Sequence, residues 1–229
     1  MKPYSLDPAH ISLEEFRKMT GSKEMLPSRI MLHEHMEERF SSLQEAGIKH
    51  LGHLLSLLST RARIRQYSEQ SGLGEDYLLL LKREAGSYLA KSFPLSDFPG
   101  IPYEYTEILR SMGLKNTRHF FESTQSEGLQ SALCQETGIP EYRIRELYCL
   151  CDLSRIGGVG ATFARILYEA EIRSVETFAA MDATESLKRC TQVIEKHGYA
   201  AGRLGEKDMQ YGINYAKAVI EFDEKADIK

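Results

Sequence analysis

Apolar residues recur at intervals of three and four along most of this chain, as at Ile108, Leu109 and Met112, and again at Ile144, Leu147, Tyr148 and Cys151. That spacing returns to one side of an α-helix at every turn, so it predicts helices with one buried face. Sustained two-residue alternation, the mark of a half-buried strand, does not occur. Gly47, Gly72, Gly113 and Gly138, and then Gly157, Gly158 and Gly160, punctuate the apolar runs. Glycine admits the left-handed backbone of a tight helix exit, so the pattern predicts an all-α fold of short helices joined by tight turns. Pro94 and Pro99 mark the expected seam between an N-terminal part and the rest, because proline interrupts helical hydrogen bonding.

The apolar pattern repeats. Sliding the sequence by 58 residues lays LSDFPGIPYEYTEILRSMGLKNTRHFF over LSRIGGVGATFARILYEAEIRSVETFA, pairing Leu95 with Leu153, Gly100 with Gly158, Ile108 with Ile166, Leu109 with Leu167 and Phe120 with Phe178. A shift of 66 carries the relation upstream, with Gly47, Lys49, His53, Gly72, Glu75 and Leu81 falling on Gly113, Lys115, His119, Gly138, Glu141 and Leu147. Three related repeats follow, beginning near Leu26, Leu95 and Leu153. The expected organisation is an N-terminal arm over 1–25, a diverged helical hairpin unit over 26–94, and a tandem domain with a closing helix over 95–229.

The sharpest local motif runs from Ile156 through Gly157, Gly158, Val159 and Gly160 to Ala164 and Arg165. It resembles the hairpin of helix-hairpin-helix proteins, in which two glycines allow a tight reversal, an apolar residue plugs the gap between helices, and a small residue lets them approach. In such hairpins the backbone N–H groups at a helix start hold a phosphate, chemistry that a helix N-terminus offers any anion. The resemblance implies Gly158, Val159 and Gly160 as donors, with Arg165 one helical turn further on. The second repeat reads Phe98-Pro99-Gly100-Ile101-Pro102, where Pro102 has no N–H to donate, and in the first repeat Glu34 stands where the first hairpin glycine belongs.

Over residues 95–219 the chain resembles the family designated domain of unknown function 4332, itself of helix-hairpin-helix type. The residues that carry the likeness are TGI at 137–139, CDLSRIGGVG at 151–160, SVETFA at 174–179 and INYAKAV at 213–219. The resemblance implies tandem helix-hairpin-helix repeats of the SAM-like kind, and no activity. Two departures stand out: Glu171 replaces a usual glycine, and the last helix has Gly212 but no tryptophan nearby.

Composition narrows the possibilities. With 42% hydrophobic and 27% charged residues, the chain is typical of a soluble globular protein. No apolar run approaches the roughly 20 residues of a membrane span, and the first residues lack a signal-peptide core, so a cytoplasmic location is expected and no membrane partner. Cys134, Cys149, Cys151 and Cys190 form no CxxC pair, which suits buried free thiols in a reducing compartment. The net charge of −4 argues against purely electrostatic attachment to nucleic acid.

Two basic groupings remain as candidate contacts. Arg61, Arg63 and Arg65 alternate beside Tyr67, with Lys82 and Arg83 on the next predicted helix; they read either as a phosphate-facing strip or as solvated helix faces. Arg143, Arg145 and Arg155 form a second edge, close to the glycine hairpin. A catalytic constellation is not apparent. His33 and His35 project about 200° apart on a helix, His50 and His53 lack an evident third ligand, and the common phosphate-loop, hydrolase and dinucleotide signatures are missing. No cofactor is expected. The leading expectation is a non-enzymatic module whose Gly158–Gly160 turn, with Arg165, Arg155, Arg143 and Arg145, engages DNA phosphates without reading sequence. The competing expectation is a scaffold that presents apolar helix faces to a protein partner or to its own copy.

Overall fold

A computed structural model describes residues 1–22, 25, 27–199 and 204–227; the expected start of the first repeat, Leu26, lies outside the described residues. The fold is all-α, as the periodicity predicts, and the described residues contain no β-strand beyond two isolated bridges, Ser12 with His50 and Pro94 with Asn116. The chain divides into a compact unit of Leu6–Leu89 and another that joins Met1–Ser5 to Ala90–Lys229.

The 6–89 unit begins with α1 (Leu13–Gly21), inside the stretch expected to be an arm. Its start is fixed by a capping box: the Glu15 N–H donates to Ser12 Oγ at 3.1 Å, and the Ser12 N–H donates to Glu15 Oε2 at 2.8 Å. Phe16 on α1 is wholly buried, lying edge-on to Tyr88 and tilted against Phe40, so residues 13–21 are part of a core. A 3-10 turn (Pro27–Leu32) leads to α2 (Met36–Glu45), α3 (Leu51–Leu57), α4 (Arg61–Ser71) and α5 (Glu75–Ser87). Leu43, Leu51, Leu54, Leu78 and Leu81 fill the space between them without solvent exposure.

The 90–229 unit starts with a short 3-10 turn (Leu95–Asp97), followed by α6 (Tyr103–Ser111), α7 (Thr117–Ser123), α8 (Glu127–Thr137) and α9 (Glu141–Leu153). Then come α10 (Ala161–Glu169), α11 (Val175–Ala179), α12 (Ala183–His197) and the long α13 (Glu206–Asp227). Residues 1–5 belong here: Tyr4 is fully buried, with its hydroxyl 2.7 Å from Thr117 Oγ1. Cys151 and Cys190 are buried free thiols, whereas Cys134 and Cys149 are only half-buried.

Element boundaries follow the sequence shifts. Helices α3, α4 and α5 recur 66 residues later as α7, α8 and α9 with identical limits, and α6 recurs 58 residues later as α10. Capping follows the same rhythm. The second and third helices of each repeat start on a side-chain cap, His50 and Thr60, Asn116 and Ser126, Ser174 and Asp182, while the first and last have none where a cap is described. After the first helix the chain turns through a left-handed residue, at Gly47 (φ 82°), Gly113 (φ 88°) and Glu171 (φ 62°).

Candidate binding surfaces at the glycine hairpin and on helix α6

Helix α9 leaves the helical path at Ser154, and the chain tightens through two short bonds, Arg155 N–H to the Asp152 carbonyl (3.0 Å) and Ile156 N–H to the Leu153 carbonyl (3.1 Å). Val159 N–H then closes on the Ile156 carbonyl at 3.0 Å. Gly158, at φ 90°, makes this reversal possible, because an L side chain strains in that region. Val159 is buried as the plug, Ala164 is wholly buried at the helix crossing, and Gly158 and Gly160 are exposed. Gly160 precedes α10 without any side-chain cap, so the first N–H groups of that helix remain open to an acceptor.

The expected arginines behave differently. Arg155 is 2% exposed: its Nη1 donates to Asp152 Oδ1 at 3.0 Å, its Nη2 to Asp223 Oδ1 on α13 at 2.5 Å, and its guanidinium lies 4.7 Å from the centre of the Phe121 ring. Arg165 is 3% exposed and is held by Glu146 Oε1 at 2.5 Å and by the Pro99 carbonyl at 2.7 Å. Both expected phosphate contacts are therefore corrected to internal struts, since each guanidinium is buried and held by acceptors within the fold. Arg143 is half-buried and donates to Glu146 Oε2 at 2.7 Å; Arg145 is exposed but paired with Glu141 at 2.6 Å. Of the four expected arginines only Arg145 is exposed, and it is paired with Glu141 on the surface.

The sequence of α9 carries a signal for these buried arginines. Glu146 and Asp152 sit within the apolar stripe of α9, between Ile144, Leu147, Leu150, Cys151 and Leu153, and all seven are buried. A carboxylate placed on a core face requires a buried partner, and the nearby arginines are the available cations. Desolvation pushes the Asp152 carboxyl upward, and Arg155 and the Val175 N–H oppose that shift.

A second surface lies on α6, where Ile108 and Met112, whose spacing with Leu109 predicts a buried face, are instead partly exposed while Leu109 alone is fully buried. Ile108 and Met112, one helical turn apart, are 37% and 36% exposed, and Tyr103 on the same helix is 66% exposed. In α10, 58 residues on, the matching Ile166 and Ala170 are buried. The first helix of the second repeat therefore keeps a face open to solvent that the third repeat covers.

Among the described residues, no group of three or more His, Cys, Asp or Glu could hold a metal ion, and no helix is long and apolar enough to cross a membrane. Neither the curated proteins nor the solved structures yield a match to the chain. Residues 99–218, from just before α6 to well inside α13, match the family described as "Domain of unknown function (DUF4332)", and the chain belongs to that family.

Proposed function

We propose that this chain is a non-enzymatic protein-interaction scaffold, and that the face of α6 bearing Ile108 and continued by Met112 receives an apolar helix from a protein partner or from a second copy of the chain. The observation that carries this reading is the exposure of Ile108 and Met112 where their counterparts Ile166 and Ala170 are buried. An amphipathic helix that leaves part of its apolar stripe in water gains when another apolar surface covers it. Ile108→Asp with Met112→Asp should abolish association, read as molar mass by light scattering and as retention of a co-purified partner. Wild type and variant showing the same mass and the same partners, with both folded by circular dichroism, removes the reading.

A second reading, contact of the Gly158–Gly160 hairpin with nucleic acid phosphates, is favoured by the exposed glycines and the uncapped start of α10. Any such contact would rest on backbone donors and be non-specific in sequence, because Arg155 and Arg165 are committed internally. Ala161→Pro deletes one of these donors at a helix position that tolerates proline. Fluorescence anisotropy on duplex DNA at low salt should then show weaker binding. Unchanged affinity, or no binding by the wild type at tens of micromolar, removes this reading.

A further inference from the structure

We propose that the groove between α3 and α4 is a binding site for a small organic anion with an apolar body. The groove has a volume of about 410 Å³ and lies wholly within the 6–89 unit. On α4, Arg63, Gln66, Tyr67 and Gln70 line it at helical intervals of three and four, facing His53 and Leu57 on α3. No lining residue is acidic, in a chain with 33 Asp and Glu.

Arg63, exposed to solvent at the groove, is the group that would receive the anion. Its Nη1 donates to the Ser56 carbonyl at 2.9 Å and to Ser59 Oγ at 3.3 Å, which fixes the guanidinium plane. Its Nη2 and Nε have no acceptor among the described residues, and no carboxylate there pairs with it, although its neighbour Arg65 pairs with Glu75. The Tyr67 ring contributes to the wall, while its hydroxyl is buried away from solvent. Leu57 and the Tyr67 ring supply apolar contact, so a bare inorganic ion would use only part of the site.

The repeat provides an internal control. Sixty-six residues on, the positions of Arg63, Gln66, Tyr67 and Gln70 hold Leu129, Ala132, Leu133 and Glu136 on α8, a helix with the same limits relative to its repeat. The polar set is therefore not needed to form the helix. A planar guanidinium fits carboxylate and phosphate equally well, so the headgroup is either of these.

Titration of the full ¹⁵N-labelled chain with benzoate, phenyl phosphate and inorganic phosphate, followed by NMR, tests the proposal. Saturable shifts confined to Arg63, Gln66, Gln70 and their neighbours are expected with benzoate or phenyl phosphate, the tighter of the two naming the headgroup. Inorganic phosphate should bind roughly tenfold more weakly or worse, for want of the apolar contact. Arg63→Gln should weaken binding about tenfold or more, as should Gln66→Glu, which sets a like charge in the groove and leaves the Arg63 contacts to Ser56 and Ser59 in place. Shifts that fail to saturate, inorganic phosphate binding as tightly as the organic anions, or unchanged affinity in folded Gln66→Glu overturns the proposal.

Discussion

The Asp152 carboxylate accepts the first N–H of α11, from Val175, at 2.8 Å. In the other two repeats the matching N–H goes to a peptide carbonyl: Leu51 to Ile11 at 2.8 Å and Thr117 to Phe93 at 3.0 Å. The third repeat thus substitutes a charged side chain for a passing backbone segment, and with that charge comes the need for Arg155, itself shared with Asp223. One carboxylate ties together the end of α9, the start of α11 and, through Arg155, the far part of α13.

Asp152→Ala should consequently destabilise the protein by about 3–5 kcal/mol, because it strands a buried N–H and leaves Arg155 with one acid in place of two. Asp152→Asn retains an acceptor for Val175 and should lose distinctly less. Urea unfolding of both variants checks the order; equal losses would mean that the Val175 bond contributes nothing separable.

Much of this fold is legible in the sequence because helix limits follow apolar spacing, and spacing survives in a shifted self-comparison. The Gly47, Gly113 and Glu171 turns, and the 66- and 58-residue recurrence of whole helices, all lie on that pattern. The direction of a long polar side chain does not. Arg155 meets Asp223 across 68 residues and Arg165 meets Pro99 across 66, and such pairings leave no periodic mark. The alternating Arg61, Arg63 and Arg65 likewise look equivalent on paper, yet Arg65 is paired with Glu75 while Arg63 turns to the α3–α4 groove. Only the carboxylates set in the apolar stripe of α9 betray the buried arginines.

Glu171 holds a left-handed backbone (φ 62°) at the turn that glycine occupies in the other two repeats. A side chain there strains the backbone by roughly 1–2 kcal/mol, part of which glycine returns through its greater freedom in the unfolded chain. The Glu171–Arg173 pair is exposed and contributes little. Glu171→Gly should therefore stabilise by up to about 1 kcal/mol, a rise in Tm of about 2–4 °C for a chain of this size. Gly113→Ala, at φ 88°, should lower Tm by a similar amount, and calorimetry reads both.

Gly212 lies inside α13, where alanine would ordinarily favour the helix by about 1 kcal/mol. Here a Cβ would stand 2.8 Å from Phe178 Cε1 and 3.1 Å from its Cζ, and Phe178 is wholly buried on α11. Overpacking of about 1–3 kcal/mol should outweigh the propensity gain, so Gly212→Ala destabilises. Phe178→Leu should cost less in the Gly212→Ala background than alone, since the smaller side chain relieves the clash. A double-mutant cycle measures that coupling, and strict additivity would refute it.

The Cys190 thiol is fully buried on α12, and burial pushes its pKa up to about 12; Cys149 is pushed up to about 11, again chiefly by burial. An unfolded chain releases these protons near pH 8.5 while the folded protein still holds them. Their contribution to stability is therefore intact below about pH 8.5 and is lost as pH rises from there toward the folded values. The slope should reach about 1.4 kcal/mol per pH unit for Cys190, because one proton separates the two states over that range. Tyrosines begin to add only near pH 10, so unfolding free energies measured between pH 8.5 and 10 isolate the thiols. Cys190→Ala should be less stable than wild type at pH 7, through the small cavity it leaves, yet show a shallower decline with pH; an unchanged slope would mean that this thiol ionises as readily in the folded protein as in the unfolded chain.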